Sequence, residues 1–102
     1  MNDVARDILV EAALKGVKQA RGCFRDGNGS FCAMGVLYQK LADMDLGTWD
    51  EEGFDTWRAD AVERTFGVTP LEQAAIVRAN DVLNWDFLTI ARKIGVNDGD
   101  PT

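Results

Sequence analysis

The stretch of residues 22–37 constrains the fold more than any other part of the chain, because it combines a turn, both cysteines and the start of a helix. Two consecutive pairs at 26–27 and 28–29, Asp-Gly and Asn-Gly, consist of residues that tolerate positive φ. A chain can reverse direction here at little steric cost. We therefore predict a short β-hairpin over about residues 22–32.

The two cysteines lie on opposite arms of this predicted hairpin. With the turn at 26–29, Cys23 is directly opposite Cys32, at a Cβ separation of about 5 Å that a disulfide could span. Cysteines of cytoplasmic proteins are usually reduced, whereas those of exported proteins are usually bridged. The pairing geometry alone therefore leaves both states open.

A helix is expected directly after the hairpin. Ser30 is the predicted N-cap, and apolar residues then recur at helical spacing. Gly35 interrupts this pattern at a cost of about 1 kcal/mol relative to alanine. A glycine inside a helix predicts that another backbone segment approaches closely at this point.

The rest of the chain predicts a mainly α-helical fold, a compact domain of four to five helices with the one short hairpin. The clearest signal is Thr69-Pro70-Leu71-Glu72, which places an N-cap, a first-turn proline and a capping-box glutamate at the required spacing. The expected boundaries are a single domain over 1–96 and a flexible tail over 97–102. The predicted helices cover 3–20, a segment from Ser30 to about Asp43, a segment from Asp55 to Phe66, a segment from Thr69 to about Asp81, and a last helix capped by Asn84 or Asp86 and ending before Gly95.

The predicted apolar faces follow from the same spacing. In the first helix they comprise Val4, Ile8 and Ala12, widened by Val10, Leu14 and Val17. In the fourth they comprise Leu71, Ala74 or Ala75, and Ile76 or Val77. The helix should stop near Asn80-Asp81, with Asn80 in the left-handed region.

The net charge of −6 is confined to one segment, residues 43–60. This acidic segment holds seven acids and a single base, Arg58, and the rest of the chain is neutral. A field of this sign disfavours nucleic acid, which requires cationic side chains, and attracts a basic protein surface instead. Trp49 lies among these acids, as an aromatic contact residue would, or it folds back onto the core. The candidate partner-binding residues are Asp43, Asp45, Trp49, Asp50, Glu51, Glu52 and Asp55.

A second candidate site is a thiol or polar site comprising Cys23, Cys32, Asn80 and Asp81. A position near a helix N-terminus favours the thiolate form of Cys32, and Asn80-Asp81 could supply a polar partner. Cys32 as a buried, inert small residue is the alternative, and the chain has no histidine to complete a Cys-His pair.

No cofactor or metal is expected. Two cysteines without histidine make a poor zinc site, since a closed structural site needs four ligands, and metal binding through sulfur would require a contribution from a second subunit. The run Asp26-x-Asn28-x-Ser30 has the first spacings of a calcium loop, but Phe31 takes the place of the required glycine and Leu37 that of the glutamate. We interpret this run as turn chemistry. No membrane-length apolar stretch and no signal-peptide pattern is present, so the expected compartment is the cytoplasm of a host cell.

Two parts of the chain resemble a group of small uncharacterised proteins of phages and their bacterial hosts. The group's pattern is a cysteine, an Asp/Gly turn, Cys-x-x-Gly-Ala-Leu, and then an Asn-Asp pair. The corresponding residues here are Cys23, Asp26-Gly27-Asn28-Gly29, Cys32-Ala33-Met34-Gly35-Val36-Leu37 and Asn80-Asp81. The resemblance implies a phage or prophage origin and an α-rich fold, and it supplies no catalytic residues.

Three functions remain open from the sequence. The first is a non-enzymatic phage or prophage accessory protein, such as a counter-defence or host-modulating factor, that binds a basic surface of a nucleic-acid-binding host protein. The second is a thiol-dependent enzyme or redox switch that uses Cys32 and Cys23. The third is a structural homo-oligomer, in which a second copy of the chain covers the loop around Trp49.

Overall fold

Five α-helices make up most of the chain described by a computed structural model, which covers residues 3–26, 28–46, 49–50, 53–54 and 58–94, without side-chain detail at 49, 50, 53, 54, 58 and 59. The helices are α1 (Asp3–Leu14), α2 (Ala33–Asp43), α3 (Arg58–Phe66), α4 (Pro70–Asp81) and α5 (Phe87–Lys93). A two-residue antiparallel ladder, β1 (Trp49–Asp50) with β2 (Gly53–Phe54), lies in the segment predicted as a loop. The predicted mainly helical fold is confirmed.

Helix α2 is at the centre of the packing. It contacts α1, α3 and α4, and α5 packs against both α1 and α4. Each helix contributes buried apolar side chains at i, i+3 or i+4 spacing, so that one continuous core forms. The large, fully buried apolar side chains of this core are Leu9, Met34, Leu37, Leu41, Val62, Phe66, Val68, Ile76 and Ile90.

Helix α1 ends at Leu14, six positions before the predicted end. Gly16 adopts a left-handed φ of 72°. The N–H of Gly16 donates to Ala13 O (3.1 Å) and that of Val17 to Ala12 O (3.0 Å), which is the Schellman pattern of a helix C-terminus. Gly16 therefore terminates the helix within the span of 3–20 predicted for it.

The core face of α1 also differs from the prediction. It comprises Ala5, Leu9 and Ala12, while Val4 is 52% exposed and Leu14 is 82% exposed. Only Ala12 belongs to both sets. Two apolar stripes run along this helix, and the spacing does not reveal which one meets the rest of the protein.

The predicted hairpin over 22–32 is not formed. Phe31 is paired singly on both sides, in parallel with Gln19 and antiparallel with Arg25. Backbone hydrogen bonds run from Phe31 N to Lys18 O (2.9 Å) and from Ala20 N to Phe31 O (2.9 Å). Phe31 thus lies between two extended coil segments, around Gln19 and around Arg25. A prediction from the turn residues alone includes only the second of them.

The register around the cysteines is shifted by one residue from the prediction. Cys32 N donates to Phe24 O (3.0 Å), so Cys32 lies beside Phe24 and not opposite Cys23. Both cysteines are free thiols. Cys32, and not Ser30, is the N-cap of α2, and its Sγ accepts a hydrogen bond from Gly35 N (3.2 Å). The predicted turn chemistry is confirmed, since Asp26 Oδ1 accepts from the backbone N–H groups of Asn28 and Ser30.

The C-terminus of α3 and the N-termini of α4 and α5 lie where the sequence predicts them. Gly67 has a φ of 66° and its N–H donates to Glu63 O (2.9 Å), so it terminates α3 as the C′ residue. Thr69 and Glu72 form the predicted capping box at the start of α4. Asp86 is the N-cap of α5. The predicted cap Asp55 and the tail over 97–102 lie outside the described residues.

The buried face of α4 agrees with the prediction at Ile76 and differs from it at Leu71. Leu71 is 82% exposed and Val77 is 38% exposed, whereas the polar residues Gln73 and Asn80 are buried together with Ile76. Asn80 remains helical, and the left-handed residue beyond the helix is Asn84, with a φ of 57°. The hydrogen bonds of Asn80, described below, hold this polar side chain on the buried face of α4.

Candidate functional site

Asn80 is the most deeply buried polar side chain described, with 0% exposure. Its Oδ1 accepts hydrogen bonds from Gln19 Nε2 (2.7 Å) and from the backbone N–H of Ala33 (3.0 Å). Its Nδ2 donates to Ala20 O (2.8 Å) and to Asp81 Oδ1 (2.7 Å). Both donors and both acceptor positions of the amide are therefore used within the protein.

These four bonds join three parts of the chain that are distant in sequence. The segment before the turn contributes Gln19 and Ala20, α2 contributes the N–H of its first residue, and α4 contributes Asn80 itself. Gln19 Nε2 also donates to Trp85 O (2.7 Å). A buried amide with every partner present is stabilising and specifies one arrangement of these segments.

Asp81 extends the same network toward the surface. Its Oδ1 accepts from the backbone N–H of Gly22 (3.0 Å), which has a left-handed φ of 78°. Next to it, Arg21 Nε donates to Asn84 Oδ1 (2.8 Å). The Asn80-Asp81 pair is thus a tertiary junction, and the chemistry that we singled out in the sequence is used to hold the chain together.

Gly35 is where the predicted close backbone approach occurs. A Cβ atom on this residue would lie 1.9 Å from Phe24 O and 2.8 Å from Phe24 C. The Phe24 ring packs edge-on against Tyr38, with centroids 5.0 Å apart and an interplanar angle of 84°. The coil segment therefore crosses α2 so tightly that only glycine fits.

The two cysteines differ sharply in environment. Cys32 is buried, and burial raises the pKa of its thiol to about 11, against the opposing effect of hydrogen bonds from the Gly35 and Met34 N–H groups. The negative charge of Asp81 raises the pKa of Cys32 further. Cys23 is exposed. The expectation that the helix N-terminus would favour the Cys32 thiolate is wrong, since desolvation outweighs the dipole.

Gln19 is not among the predicted site residues, because the first helix was predicted to extend to residue 20. The available signal was Gly16 followed by the apolar Val17, which is the pattern of a helix C-terminus. No local pattern indicates that the amide of Gln19 meets Asn80, from which it is separated by 61 residues.

The acidic segment is described at its two ends. Asp43, the last residue of α2, is exposed and accepts a hydrogen bond from Gln39 Nε2 (2.9 Å). Asp45, with a φ of 59°, and Asp60, in the first turn of α3, are also exposed. The apolar neighbours Met44 and Leu46 are 45% and 41% exposed. Of the other predicted partner-binding residues, Trp49 and Asp50 are described in backbone only, and Glu51, Glu52 and Asp55 lie outside the described residues.

A groove of about 200 Å³ lies between α1 and α2. Its floor is apolar and its rim carries charged and amide side chains, among them Asp43 of the acidic segment. Nothing in the sequence analysis indicated this groove, because its residues come from two helices and from the coil around Phe31.

Within the described part of the chain, no helix is long and apolar enough to cross a membrane. No group of three or more histidine, cysteine or acidic residues there is arranged to hold a metal ion. Comparison with protein-family models, with curated proteins and with solved structures gives no match to this chain.

Proposed function

We propose that this protein is a non-enzymatic binding protein, which attaches a basic protein surface to its acidic segment, residues 43–60. The observation that carries the proposal is the charge distribution, since the entire net charge of −6 lies in this segment. Such a concentration of one sign speeds the encounter with an oppositely charged surface and orients it.

The side chains described at the ends of the segment favour this function. Asp43, Asp45 and Asp60 are exposed, so their carboxylates are accessible to a partner. Met44 and Leu46 are partly exposed beside them and offer apolar contact area. A protein interface combines these two features, an apolar contact and a charged rim.

The resemblance to small proteins of phages and their bacterial hosts gives the proposal its biological setting. We propose a phage or prophage accessory role, as a counter-defence or host-modulating factor in the host cytoplasm. Nucleic-acid-binding host proteins are suitable partners, because they expose the lysines and arginines that neutralise phosphates. An acidic protein that covers such a surface would compete with nucleic acid for it.

The polar groups outside the acidic segment favour binding over catalysis. The Asn80 amide is saturated by internal hydrogen bonds. The high pKa of Cys32 keeps this thiol protonated at neutral pH, which argues against the alternative of a thiol-dependent enzyme or redox switch.

The experiment is a capture assay from bacterial lysate with the wild-type protein and two charge-reversed variants. Glu51→Lys/Glu52→Lys changes the acidic segment. The matched control Asp3→Lys/Asp7→Lys makes the same change in net charge at exposed positions of α1. We expect one basic protein to be captured by wild type and control, lost with the segment variant, and released by salt. Equal capture by all three proteins contradicts the proposal.

A structural homo-oligomer is the second candidate, and the outer face of α4 favours it. Leu71 is 82% exposed and Val82, just beyond the helix, is 64% exposed, with the partly or fully exposed Ala75 and Arg78 between them at helical spacing. Light scattering over a range of concentrations, with Leu71→Lys as the comparison, separates this function from the first. A monomer at all concentrations contradicts it.

A further inference from the structure

We infer that the groove between α1 and α2 receives one apolar side chain of the basic partner, as the anchor that fixes where the partner docks. The inference rests on the proposed function and specifies the chemistry of the partner: a basic segment that carries a single leucine-sized or phenylalanine-sized residue.

The floor of the groove has the character of an anchor site. Four half-buried apolar side chains converge on it, Ile8 and Val17 from α1 and the coil after it, Phe31 from the coil, and Val36 from α2. Each of them retains solvent-exposed apolar surface that an incoming side chain would cover. Burying such surface provides most of the binding free energy at the centre of an interface.

The size of the groove selects a side chain over a larger ligand. Its volume is about 200 Å³, whereas sites for drug-sized ligands and cofactors span roughly 300–1,000 Å³. A cavity of roughly 150 Å³ suffices for a benzene ring. One leucine or phenylalanine side chain therefore matches the space.

The rim of the groove is balanced in charge, because Glu11 and Asp43 oppose Lys15 and Lys40. Lys15 Nζ is 2.7 Å from Glu11 Oε1, and this contact lowers the pKa of Glu11 and raises that of Lys15. Lys40 also lowers the pKa of Glu11. An apolar anchor can therefore enter without stripping water from an unbalanced charge.

Asp43 connects the groove to the acidic segment. It lies on the rim, and it is the first residue of the segment that carries the net charge. Its carboxylate is exposed and accepts a hydrogen bond from the amide of the Gln39 side chain. An anchor in the groove thus places neighbouring lysines or arginines of the partner next to Asp43.

The test uses four synthetic peptides of equal length. Two are lysine-rich and two are serine-rich, and in each pair the central residue is either leucine or alanine. Each peptide is titrated into isotope-labelled wild-type protein at low and at high salt, and binding is followed by the NMR shifts of the Ile8, Val17 and Val36 methyl groups and of all backbone amides.

We expect the lysine-rich leucine peptide to bind roughly tenfold more tightly than its alanine counterpart, as burial of a leucine side chain provides. Only the leucine peptide should shift the three groove methyl groups. At high salt the affinity of both lysine-rich peptides should fall, while the ratio of the leucine peptide's affinity to that of the alanine peptide should stay the same.

Two variants of the protein check the location. Val36→Trp fills the groove and should remove the preference for leucine over alanine. The control Ala74→Trp adds the same ring at an exposed position of α4 and should leave the preference intact. Circular dichroism of both variants verifies that the fold is retained.

The outcomes separate this inference from the proposed function. Equal binding of both lysine-rich peptides, with shifts confined to the acidic segment, overturns the anchor site and leaves the electrostatic function standing. Tight binding of both leucine peptides, independent of lysine and salt, supports the groove and contradicts the electrostatic function. Absence of binding by all four peptides overturns both.

Discussion

The N-termini of α4 and α2 are capped in opposite ways. At α4, Thr69 and Glu72 bond each other's backbone N–H groups at 3.1 and 3.0 Å, within four consecutive residues. At α2, the first N–H is bonded by Asn80, which is 47 residues away, and the third by the weakly accepting thiol of Cys32. The first cap is local, and the second combines the neighbouring Cys32 with the distant Asn80.

This difference shows how stability is distributed. A capping box contributes to its helix wherever the helix is placed. The start of α2 instead depends on the coil of residues 18–24 and on α4 being in position. We therefore expect α2 to lose its N-terminal turn whenever the junction around Asn80 opens, while the start of α4 persists.

The largest effect is expected for Asn80→Leu, which keeps the approximate size of the side chain and removes all four hydrogen bonds. It leaves the Ala33 N–H and the Ala20 carbonyl without their partners at a buried site, so we expect a loss of roughly 3–5 kcal/mol in the free energy of unfolding. Urea denaturation measures it. The control Asn84→Gly removes one exposed hydrogen bond at a residue with positive φ and should cost less than about 0.5 kcal/mol. Similar losses in both variants contradict the junction.

A smaller loss is expected for Gly35→Ala. Helix propensity alone predicts a gain of about 1 kcal/mol for this change. The new methyl group would overlap the Phe24 carbonyl, so the coil must move and break the bond from Cys32 N. We expect a net loss of about 2 kcal/mol. Ala42→Gly on the same helix calibrates the propensity contribution, and a stabilised Gly35→Ala protein would show that the coil moves at no cost.

The local cap should be weaker. For Thr69→Ala we expect a loss of about 1 kcal/mol, because the N–H of Glu72 loses its acceptor at the end of a helix. Amide hydrogen exchange should quicken in the first turn of α4 and leave α2 unchanged. Faster exchange in α2 would mean that the two caps are coupled after all.

The smallest effect at neutral pH is expected for Cys32→Ser, at less than about 1 kcal/mol, because the hydroxyl is a better cap acceptor and offsets the lost burial. The decisive measurement is the pH dependence of this difference. Because burial raises the pKa of Cys32 from 9.0 to about 11, the folded protein holds the proton more tightly than the unfolded chain. The contribution of the thiol is complete below pH 9 and lost between pH 9 and 11.

Alkylation provides the accompanying readout. Exposed Cys23 should react faster than buried Cys32 at neutral pH, and Cys32 should react only as α2 opens. Faster labelling of Cys32 would reverse this assignment and revive the thiol-dependent function.

Much of the fold follows from short-range signals. The Thr69 and Asp86 caps are predictable, because each is a hydrogen-bonding requirement within a few residues, and a glycine inside a helix predicts the close approach at Gly35. The Asn-Gly turn chemistry predicted a hairpin wrongly for the opposite reason. The turn at Asp26 is present but one residue longer than predicted, and Phe31 pairs with Gln19 as well as with Arg25, a competitor that no local pattern contains.

The candidate sites divide along the same line. The charge of the acidic segment is a property of composition, so the sequence identifies it directly. The groove between α1 and α2 joins Ile8, Phe31 and Val36, which have no common pattern. Asn80 was singled out, but as a helix stop, because a side chain's partners across 60 residues are not encoded in its neighbours.

The sequence by itself determined that this protein is mainly helical and which segment carries its charge. It also determined where α3 ends and how α4 begins. Only the tertiary structure decided which face of α1 is buried, that α4 buries Asn80 in place of Leu71, and that Cys32 is a protonated cap. Backbone sterics, capping and net charge depend on adjacent residues or on their sum. Burial, hydrogen-bond satisfaction and the pKa of a thiol depend on which distant segments come into contact.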